Sequence, residues 1–214
     1  MSRGMFVTFE GIEGCGKTTQ AARLKAVLEK RGHSVVLTRE PGGTTIGSKL
    51  RDLLLDPNTR KLAPLAELLL YEADRAQHVA ETIRPALEAG KIVLCDRFGD
   101  ASAAYQGAAR GLGVALVEQL NAIATGGLSP DLTLLLDLPA KLSVSRARER
   151  AEKAGGKPDR FEREDFTFHE AVRKGYLEIA AREKSRYVVI DAGRGVEEIE
   201  KDILAAVGAR IPET

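Results

Sequence analysis

Short apolar runs recur along this 214-residue chain, and longer stretches with helical periodicity separate them. The runs cover residues 5–10, 34–38, 92–96, 132–137 and 187–191. Most of them are continuously apolar rather than alternating, as expected of strands buried on both faces of a sheet. Strands that alternate with helices in this way favour a parallel sheet. The pattern therefore predicts an α/β fold in which a five-stranded parallel sheet is flanked by helices.

Helices are predicted at residues 17–30, 45–55, 64–89, 165–183 and 196–207, with two shorter ones within 99–125. The longest has an apolar face that we expect in the core, formed by Leu65, Leu68, Leu69, Ala76 and Val79. Another helix precedes a small polar break at 154–158, which is typical of a mobile flap and predicts a lid at about 148–162. No linker divides the chain, so we expect one domain of the usual α/β size over residues 1–214.

Charge and cysteine content argue against several classes of protein. Lys and Arg number 32 against 31 Asp and Glu, so no overall charge attracts nucleic acid or an acidic membrane surface. The two cysteines provide no disulfide framework. The sequence has no signal-peptide layout and no apolar run of about 18 residues. We therefore expect a cytoplasmic protein with neither a membrane nor a nucleic acid as partner.

The first apolar run leads into a Gly-rich turn that matches the template G-x-x-x-x-G-K-[ST]. Glycines let backbone N–H groups close around phosphate oxygens, Lys17 adds a positive charge, and Thr18 offers a hydroxyl to Mg²⁺. The helix that begins at Lys17 points its partly positive end at the same anion. A plain Gly-rich turn would need neither the Lys nor the Thr. We therefore predict that the phosphates of ATP bind at Gly11, Ile12, Glu13, Gly14, Cys15, Gly16, Lys17, Thr18 and Thr19.

Charged residues follow two further strands, at the sheet edge where ligands of parallel sheets bind. Asp96 ends an apolar strand and is a candidate for organising Mg²⁺ with Thr18, whereas the alternative is an Asp that caps the next helix. Arg97 and Arg39 carry forked donors that suit a phosphate, whereas surface salt bridges are the alternative. A second phosphate site opposite ATP favours a phosphotransferase whose acceptor is itself phosphorylated.

Arginines cluster around the predicted lid, and arginines on a closing lid can neutralise the charge of a transferring phosphoryl group. Glutamates alternate with them, so a salt-bridged exposed helix is the alternative explanation for some. We expect one or two members to be functional among Arg146, Arg148, Arg150, Arg160 and Arg163.

Several segments, in order through nearly the whole chain, resemble the thymidylate kinase family. They are residues 9–20, the specific Thr-Arg-Glu-Pro-Gly-Gly-Thr segment at 38–44, and residues 73–78, 96–98, 104–107 and 159–162. The resemblance implies a P-loop NTPase fold of the nucleoside monophosphate kinase type with a short lid. It also implies a homodimer that uses Mg²⁺ and ATP to phosphorylate dTMP to dTDP for dTTP biosynthesis.

The resemblance further implies roles for single residues. Arg39 and Arg97 would hold the phosphate of dTMP, and Glu13 would lie near the sugar 3′-hydroxyl. In the rest of the acceptor site, Tyr71 would stack on thymine and Arg75 would contact a thymine carbonyl. Ser102 and Gln106 would lie along the base, and Tyr105 would exclude a ribose 2′-hydroxyl.

Catalysis would fall to a lid arginine, because Gly14 places the chain in the family group without a basic residue inside the P-loop. Arg150 is the first choice, acting with Lys17, Arg97 and Glu13. The sequence departs from the family pattern at three acceptor-side positions, with Ala101 for a common serine, Phe98 for the usual Tyr and Tyr71 for the usual Phe. The first departure removes one hydroxyl from the base pocket.

Two alternatives stay open on the sequence alone. One is a kinase for a different nucleoside monophosphate. The other is a nucleotide-gated switch or regulatory ATPase. The sequence has neither an Asn/Thr-Lys-x-Asp motif for guanine nor a basic DNA-binding arm, and both absences argue against this alternative.

Overall fold

The computed structural model describes residues 3–59, 62–153 and 160–211, with the backbone only for 147, 148 and 150–153. Among these residues, five strands form one parallel sheet in the order β2-β3-β1-β4-β5. The strands are β1 (Phe6–Glu10), β2 (Val35–Arg39), β3 (Ile92–Asp96), β4 (Leu132–Asp137) and β5 (Tyr187–Asp191). The prediction of a five-stranded parallel α/β fold is confirmed, because the continuously apolar runs are the buried strands.

Helices fill the connections between the strands. They are α1 (Lys17–Lys30), α2 (Thr45–Leu55), α3 (Pro64–His78), α4 (Arg84–Glu88), α5 (Gly99–Ser102), α6 (Val114–Thr125), α7 (Ala140–Lys153), α8 (Phe166–Arg182) and α9 (Val196–Gly208). Two π-helical segments, Val79–Ile83 and Ala103–Ala109, extend α3 and α5. The long helix predicted at 64–89 is therefore present as a continuous run of helix, in which a π-helical segment separates α3 from α4. Such wide turns often occur at functional sites.

The sheet lies between two apolar layers. On one face, α1 and α9 pack on β1, β3 and β4 through residues such as Leu24, Leu28 and Ile203. On the other face, α8 packs on the segment Ala103–Ala109, and Tyr176 and Val172 are buried there. These layers hold the strand ends that carry the polar residues described below.

The expectation of a core face on α3 is wrong for two of its leucines. Leu68 and Val79 are buried, but Leu65 and Leu69 are 48% and 49% exposed. Leu65 and Leu69 are four residues apart and share a stripe beside that of Leu68. The apolar surface of α3 is therefore wider than the part that the chain's own core covers.

The parallel topology brings the carboxyl ends of the strands to one edge of the sheet. Asp96 at the end of β3 lies beside Phe9 of β1 and beside Arg39 of β2. The P-loop that follows β1 therefore lies next to the polar ends of β2 and β3. Within the described residues, none of the helices has the length and apolar character needed to cross a bilayer.

Candidate functional site

The P-loop leaves β1 through glycines that its course requires. Gly11 has φ of +133°, and a Cβ there would lie 2.5 Å from the Leu136 carbonyl oxygen. Gly16 has φ of +95° and caps α1 without a side-chain bond, so the amides of the first turn stay available to an anion. Lys17 Nζ donates to the Gly11 and Ile12 carbonyls at 3.1 and 2.8 Å. The ammonium group is thus held inside the loop where a phosphate would bind.

Thr18 and Asp96 meet at the open side of the P-loop. The hydroxyl of Thr18 donates to Oδ2 of Asp96 at 2.5 Å, although the two residues are 78 positions apart in the chain. The structure brings together the two residues that the sequence predicted as metal ligands. Hydroxyl and carboxylate oxygens are ligands that Mg²⁺ accepts.

Arg97 lies in a strained turn directly after β3. Its φ of +72° makes it the residue other than glycine with positive φ in the described chain. Its guanidinium donates to the Gly11 carbonyl at 3.0 Å, to Glu13 at 2.8 Å, and to the hydroxyls of Tyr105 and Tyr176 at 3.1 Å each. Backbone strain of this kind persists where the surrounding contacts hold it, and it clusters at functional sites.

Glu13 is the ionised partner of that guanidinium. Burial acts to raise the pKa of Glu13, but the charges of Arg97 and Lys17 and the hydrogen bond from Tyr105 outweigh it, so the pKa lies well below its ordinary value. Burial also raises the pKa of Tyr105 well above its ordinary value, so its hydroxyl stays protonated. That hydroxyl donates to both Glu13 oxygens at 2.7 and 2.8 Å. Glu13, Arg97 and Tyr105 therefore form one fixed polar unit.

The buried carboxyl group of Glu10 supports the strained turn at Arg97. Glu10 ends β1 fully buried, accepts the Phe98 amide at 2.7 Å through Oε1, and accepts the Tyr176 hydroxyl at 2.7 Å through Oε2. Burial, together with the charge of Asp100, raises the pKa of Glu10 to about 8. The sequence analysis did not assign Glu10 or Tyr176 a role, because nothing local marks a residue that acts through a neighbour's backbone.

A cavity of about 510 Å³ opens from the P-loop along the ends of β2 and β3. Lys17, Thr18, Asp96 and Phe161 are among the residues that line it. Each of the residues predicted for the acceptor also lines it, namely Arg39, Tyr71, Arg75, Arg97, Ser102, Tyr105 and Gln106. Of the predicted ATP-binding set, Glu13, Gly14, Lys17 and Thr18 line the same cavity, so the structure brings these four residues and the acceptor set together.

Arg39 and Arg75 both line that cavity but differ in exposure and in the number of their hydrogen-bond partners. Arg39 is exposed, and its guanidinium makes no ion pair or hydrogen bond to the described part of the chain. Arg75 is 1% exposed, and each of its five N–H donors has a protein acceptor, supplied by Glu40, Glu72, Asn121, the Phe98 carbonyl and Ser102. A direct bond from Arg75 to a base would therefore have to share or replace one of these contacts.

The loop that carries Arg39 is seated on α3 through buried contacts. Glu40 Oε1 lies 2.9 Å from Nδ1 of His78, whose Nε2 lies 2.7 Å from the Thr38 hydroxyl. A Cβ at Gly43 would lie 2.3 Å from the His78 ring, and one at Gly47 would lie 2.2 Å from an Asp74 oxygen. The segment at 38–44 and the start of α2 therefore pack directly on side chains of α3. This close packing explains why glycines occupy positions 43 and 47.

The predicted lid is described in part. Residues 154–159 and the side chains of Arg148 and Arg150 lie outside the described residues. Arg146 donates to the Ala192 carbonyl at 3.0 Å, and Arg160 pairs with Glu67 at 2.6 Å. The start of α7 is tied to the P-loop, because the Ser143 hydroxyl donates to the Glu13 carbonyl.

Comparison with known proteins agrees with this geometry. The family model described as "Thymidylate kinase" matches residues 9–203. A thymidylate kinase of Deinococcus radiodurans is 53% identical over 210 residues, which are 98% of this chain and 99% of that protein. One of Geotalea uraniireducens is 52% identical over 211 residues, at 98% and 99% coverage. The crystal structure of thymidylate kinase from Ehrlichia chaffeensis superposes with a TM-score of 0.77 at 33% identity and covers 96% of this chain and 99% of that one.

Proposed function

This chain belongs to the thymidylate kinase family, and on that premise we propose that it transfers the γ-phosphoryl group of ATP to dTMP, giving ADP and dTDP for dTTP synthesis. One observation carries the proposal beyond family membership: a single cavity joins a phosphate loop to a second, arginine-lined phosphate site. The acceptor of such an arrangement is a phosphorylated molecule of nucleotide size. A regulatory ATPase would have no use for the second site.

We assign the ATP phosphates to the P-loop, residues 11–19, whose free α1 amides and Lys17 face the same space. The phosphate of dTMP binds between Arg39, which has no competing partner in the described chain, and Arg97, which is already held in position. Glu13 lies beside Arg97 and reaches the sugar 3′-hydroxyl. The base and the sugar edge occupy the far part of the cavity, lined by Tyr71, Arg75, Ser102, Tyr105 and Gln106.

The residues present fit a Mg²⁺ ion. The Thr18 hydroxyl and the Asp96 carboxylate are the protein oxygens that would hold it, and they already lie 2.5 Å apart. No cluster of three or more His, Cys, Asp or Glu with metal-site geometry occurs among the described residues, which suits an ion that takes most of its ligands from phosphates and water. When bound between these two side chains and ATP, Mg²⁺ would supply positive charge beside the phosphates.

Catalysis in this proposal rests on position and charge rather than on a covalent step. The acceptor is already a phosphate oxygen, so no general base is required. Arg97 orients that oxygen, and Lys17 neutralises charge at the transferring group. Arg150 adds a further positive charge from the lid, residues 148–162, and Gly14 leaves the P-loop without an arginine of its own.

We also propose a homodimer and a reducing, cytoplasmic compartment. Leu65 and Leu69 are exposed on α3, and the neighbouring helix α6, which packs against α3, exposes Leu116 and Ile123, 40% and 76% accessible. An apolar surface across two neighbouring helices is well suited to a second copy of the chain. Both cysteines are free and buried, as is usual for proteins of a reducing compartment.

The deciding experiment is ADP release by the purified protein with Mg²⁺ and ATP, with and without dTMP. We expect release to depend on dTMP and to be faster with dTMP than with dCMP, AMP or GMP at equal concentration. Lys17→Ala is the matched control, since it removes one charge from the P-loop and should leave the fold intact. ADP release that ignores dTMP would indicate an ATPase, and faster release with another monophosphate would change the assigned acceptor.

A further inference from the structure

A buried carboxylate lies behind the wall of the cavity where the base would bind. Glu67 Oε1 accepts a hydrogen bond of 2.6 Å from Nε2 of Gln106, and both residues are 1% exposed. Gln106 lines the main cavity, whereas Glu67 lines a separate cavity of about 410 Å³ on the other side. The contact therefore joins a residue of the acceptor pocket to one outside it.

Contacts with two arginines hold the Glu67 carboxylate in place. Its Oε2 pairs with Arg160 at 2.6 Å, and Arg110 Nε lies 3.6 Å from its Oε1. Arg160 is itself anchored, because its Nε donates to the Leu54 carbonyl at 3.0 Å. An ionised carboxylate can only accept hydrogen bonds. The amide nitrogen of Gln106 must therefore be the atom that faces Glu67.

The orientation of an amide decides which partner it can recognise. With its nitrogen engaged by Glu67, Gln106 has only its carbonyl oxygen left to offer elsewhere. The reversed amide would place oxygen against a carboxylate, which is repulsive and leaves both groups without a donor. A carbonyl oxygen selects a ring N–H and rejects a ring nitrogen that carries a lone pair.

We propose that Glu67 is a positioning residue for acceptor selection, which fixes the Gln106 amide so that its oxygen reads a pyrimidine with a proton on N3. Thymine and uracil have that proton, and cytosine has a bare acceptor at the same atom. The inference rests on the proposed function, since it assumes that a pyrimidine monophosphate occupies the cavity. It assigns the discrimination to a residue that does not touch the base.

The test compares dTMP with 5-methyl-dCMP, which keeps the 5-methyl group and the sugar phosphate but has no proton on N3. We measure kcat/KM for both acceptors in the wild type and in Glu67→Gln. A neutral amide at position 67 can face Gln106 with either oxygen or nitrogen, so Gln106 is free to reverse. The ratio of dTMP to 5-methyl-dCMP should fall about tenfold, the size of one hydrogen bond's contribution. KM for dTMP should rise while KM for ATP stays unchanged.

Glu164→Gln is the matched control. Glu164 pairs with Arg110 at 2.6 Å on the same side of the molecule, and Gln106 is not among its partners. Its ratio should stay within about twofold of the wild type. In a Gln106→Met background, which removes the amide, Glu67→Gln should have no further effect on the ratio.

Several results would overturn the inference. An unchanged ratio in folded Glu67→Gln with lower thermal stability would make Glu67 structural only, and the same loss of selectivity in the Gln106→Met background would exclude action through Gln106. Should Glu67→Gln fail to fold, a wild-type ratio in Gln106→Met would by itself show that the amide is not the selector. A wild type that does not phosphorylate dTMP would instead reject the proposed function.

Discussion

Arg97 and Glu13 form a 2.8 Å ion pair that joins the end of β3 to the P-loop. The pair holds the Arg97 guanidinium and the P-loop in one rigid unit. Such preorganisation lowers the entropy that must be lost when two substrates are aligned for transfer.

Lys17→Ala should leave a folded protein with little activity. Lys17 Nζ is held by two P-loop carbonyls, so the variant removes a preorganised charge at the transferring phosphoryl group. The expected loss is about 3–4 kcal/mol of transition-state stabilisation, or roughly 10²- to 10³-fold in kcat. Steady-state kinetics with a circular dichroism control measure it, and near-normal turnover would remove Lys17 from the mechanism.

Arg150→Ala should lower kcat about 10³-fold or more and change the binding of dTMP little, because a lid arginine engages mainly in the transition state. Arg146→Ala and Arg160→Ala are the comparison variants. Arg146 is bonded to the Ala192 carbonyl and Arg160 to Glu67, so each has a structural partner. A collapse of kcat in either of them with normal turnover in Arg150→Ala would reassign the catalytic arginine.

Tyr105 should have two separable functions, one in its ring and one in its hydroxyl. Tyr105→Ala should admit ribonucleotide acceptors and lower the preference for dTMP by about 1–2 kcal/mol, because removing the ring opens space beside the sugar. Tyr105→Phe keeps the ring and loses the bonds to Glu13, so it should retain the preference and lower kcat. The measured quantity is kcat/KM for dTMP over the matching ribonucleotide. A preference that is unchanged in Tyr105→Ala would make the ring a core residue.

The stability of the protein should depend on pH through Glu10. Its pKa is raised from 4.5 to about 8 by burial and by Asp100, so the folded protein binds a proton that the unfolded chain releases. This contribution is fully present below the unfolded pKa and is lost as the pH rises through about 8, with a slope of at most about 1.4 kcal/mol per pH unit. Glu10→Gln should flatten that part of the curve in urea unfolding. Glu178→Gln, at an exposed helix pair, should leave the curve unchanged.

Leu69→Glu should yield a monomer if α3 and α6 form the contact between two copies. A buried, unpaired charge in an apolar interface costs several kcal/mol, which is enough to dissociate an ordinary homodimer. Val189→Glu is the control, since Val189 is equally exposed, at 50%, but lies on the edge strand β5. Sedimentation equilibrium distinguishes the two, and a dimeric Leu69→Glu would place the interface elsewhere.

The sequence predicted the sheet and the two ends of the cavity well, because these depend on local signals. Buried parallel strands read as apolar runs, and Gly11, Lys17 and Thr18 form a contiguous template. The supporting contacts could not be predicted in this way. The pairing of Glu67 with Gln106 and Arg160 joins distant parts of the chain, and the support of Arg97 by Glu10 and Tyr176 depends on tertiary packing. The exposure of Leu65 depended on which face of α3 the chain itself covers.

The side chains of His78 and Asp74 occupy the space that a Cβ would need at Gly43 and Gly47, and this has a consequence for directed evolution of this enzyme. Saturation libraries aimed at a new acceptor would commonly randomise the whole segment around Arg39. At Gly43 and Gly47, however, every side chain meets buried atoms at less than 2.5 Å, so most clones would displace the segment before altering its selectivity. A library that holds these two glycines constant and varies the cavity-facing Tyr71 and Ala101 would search a far larger share of folded enzymes.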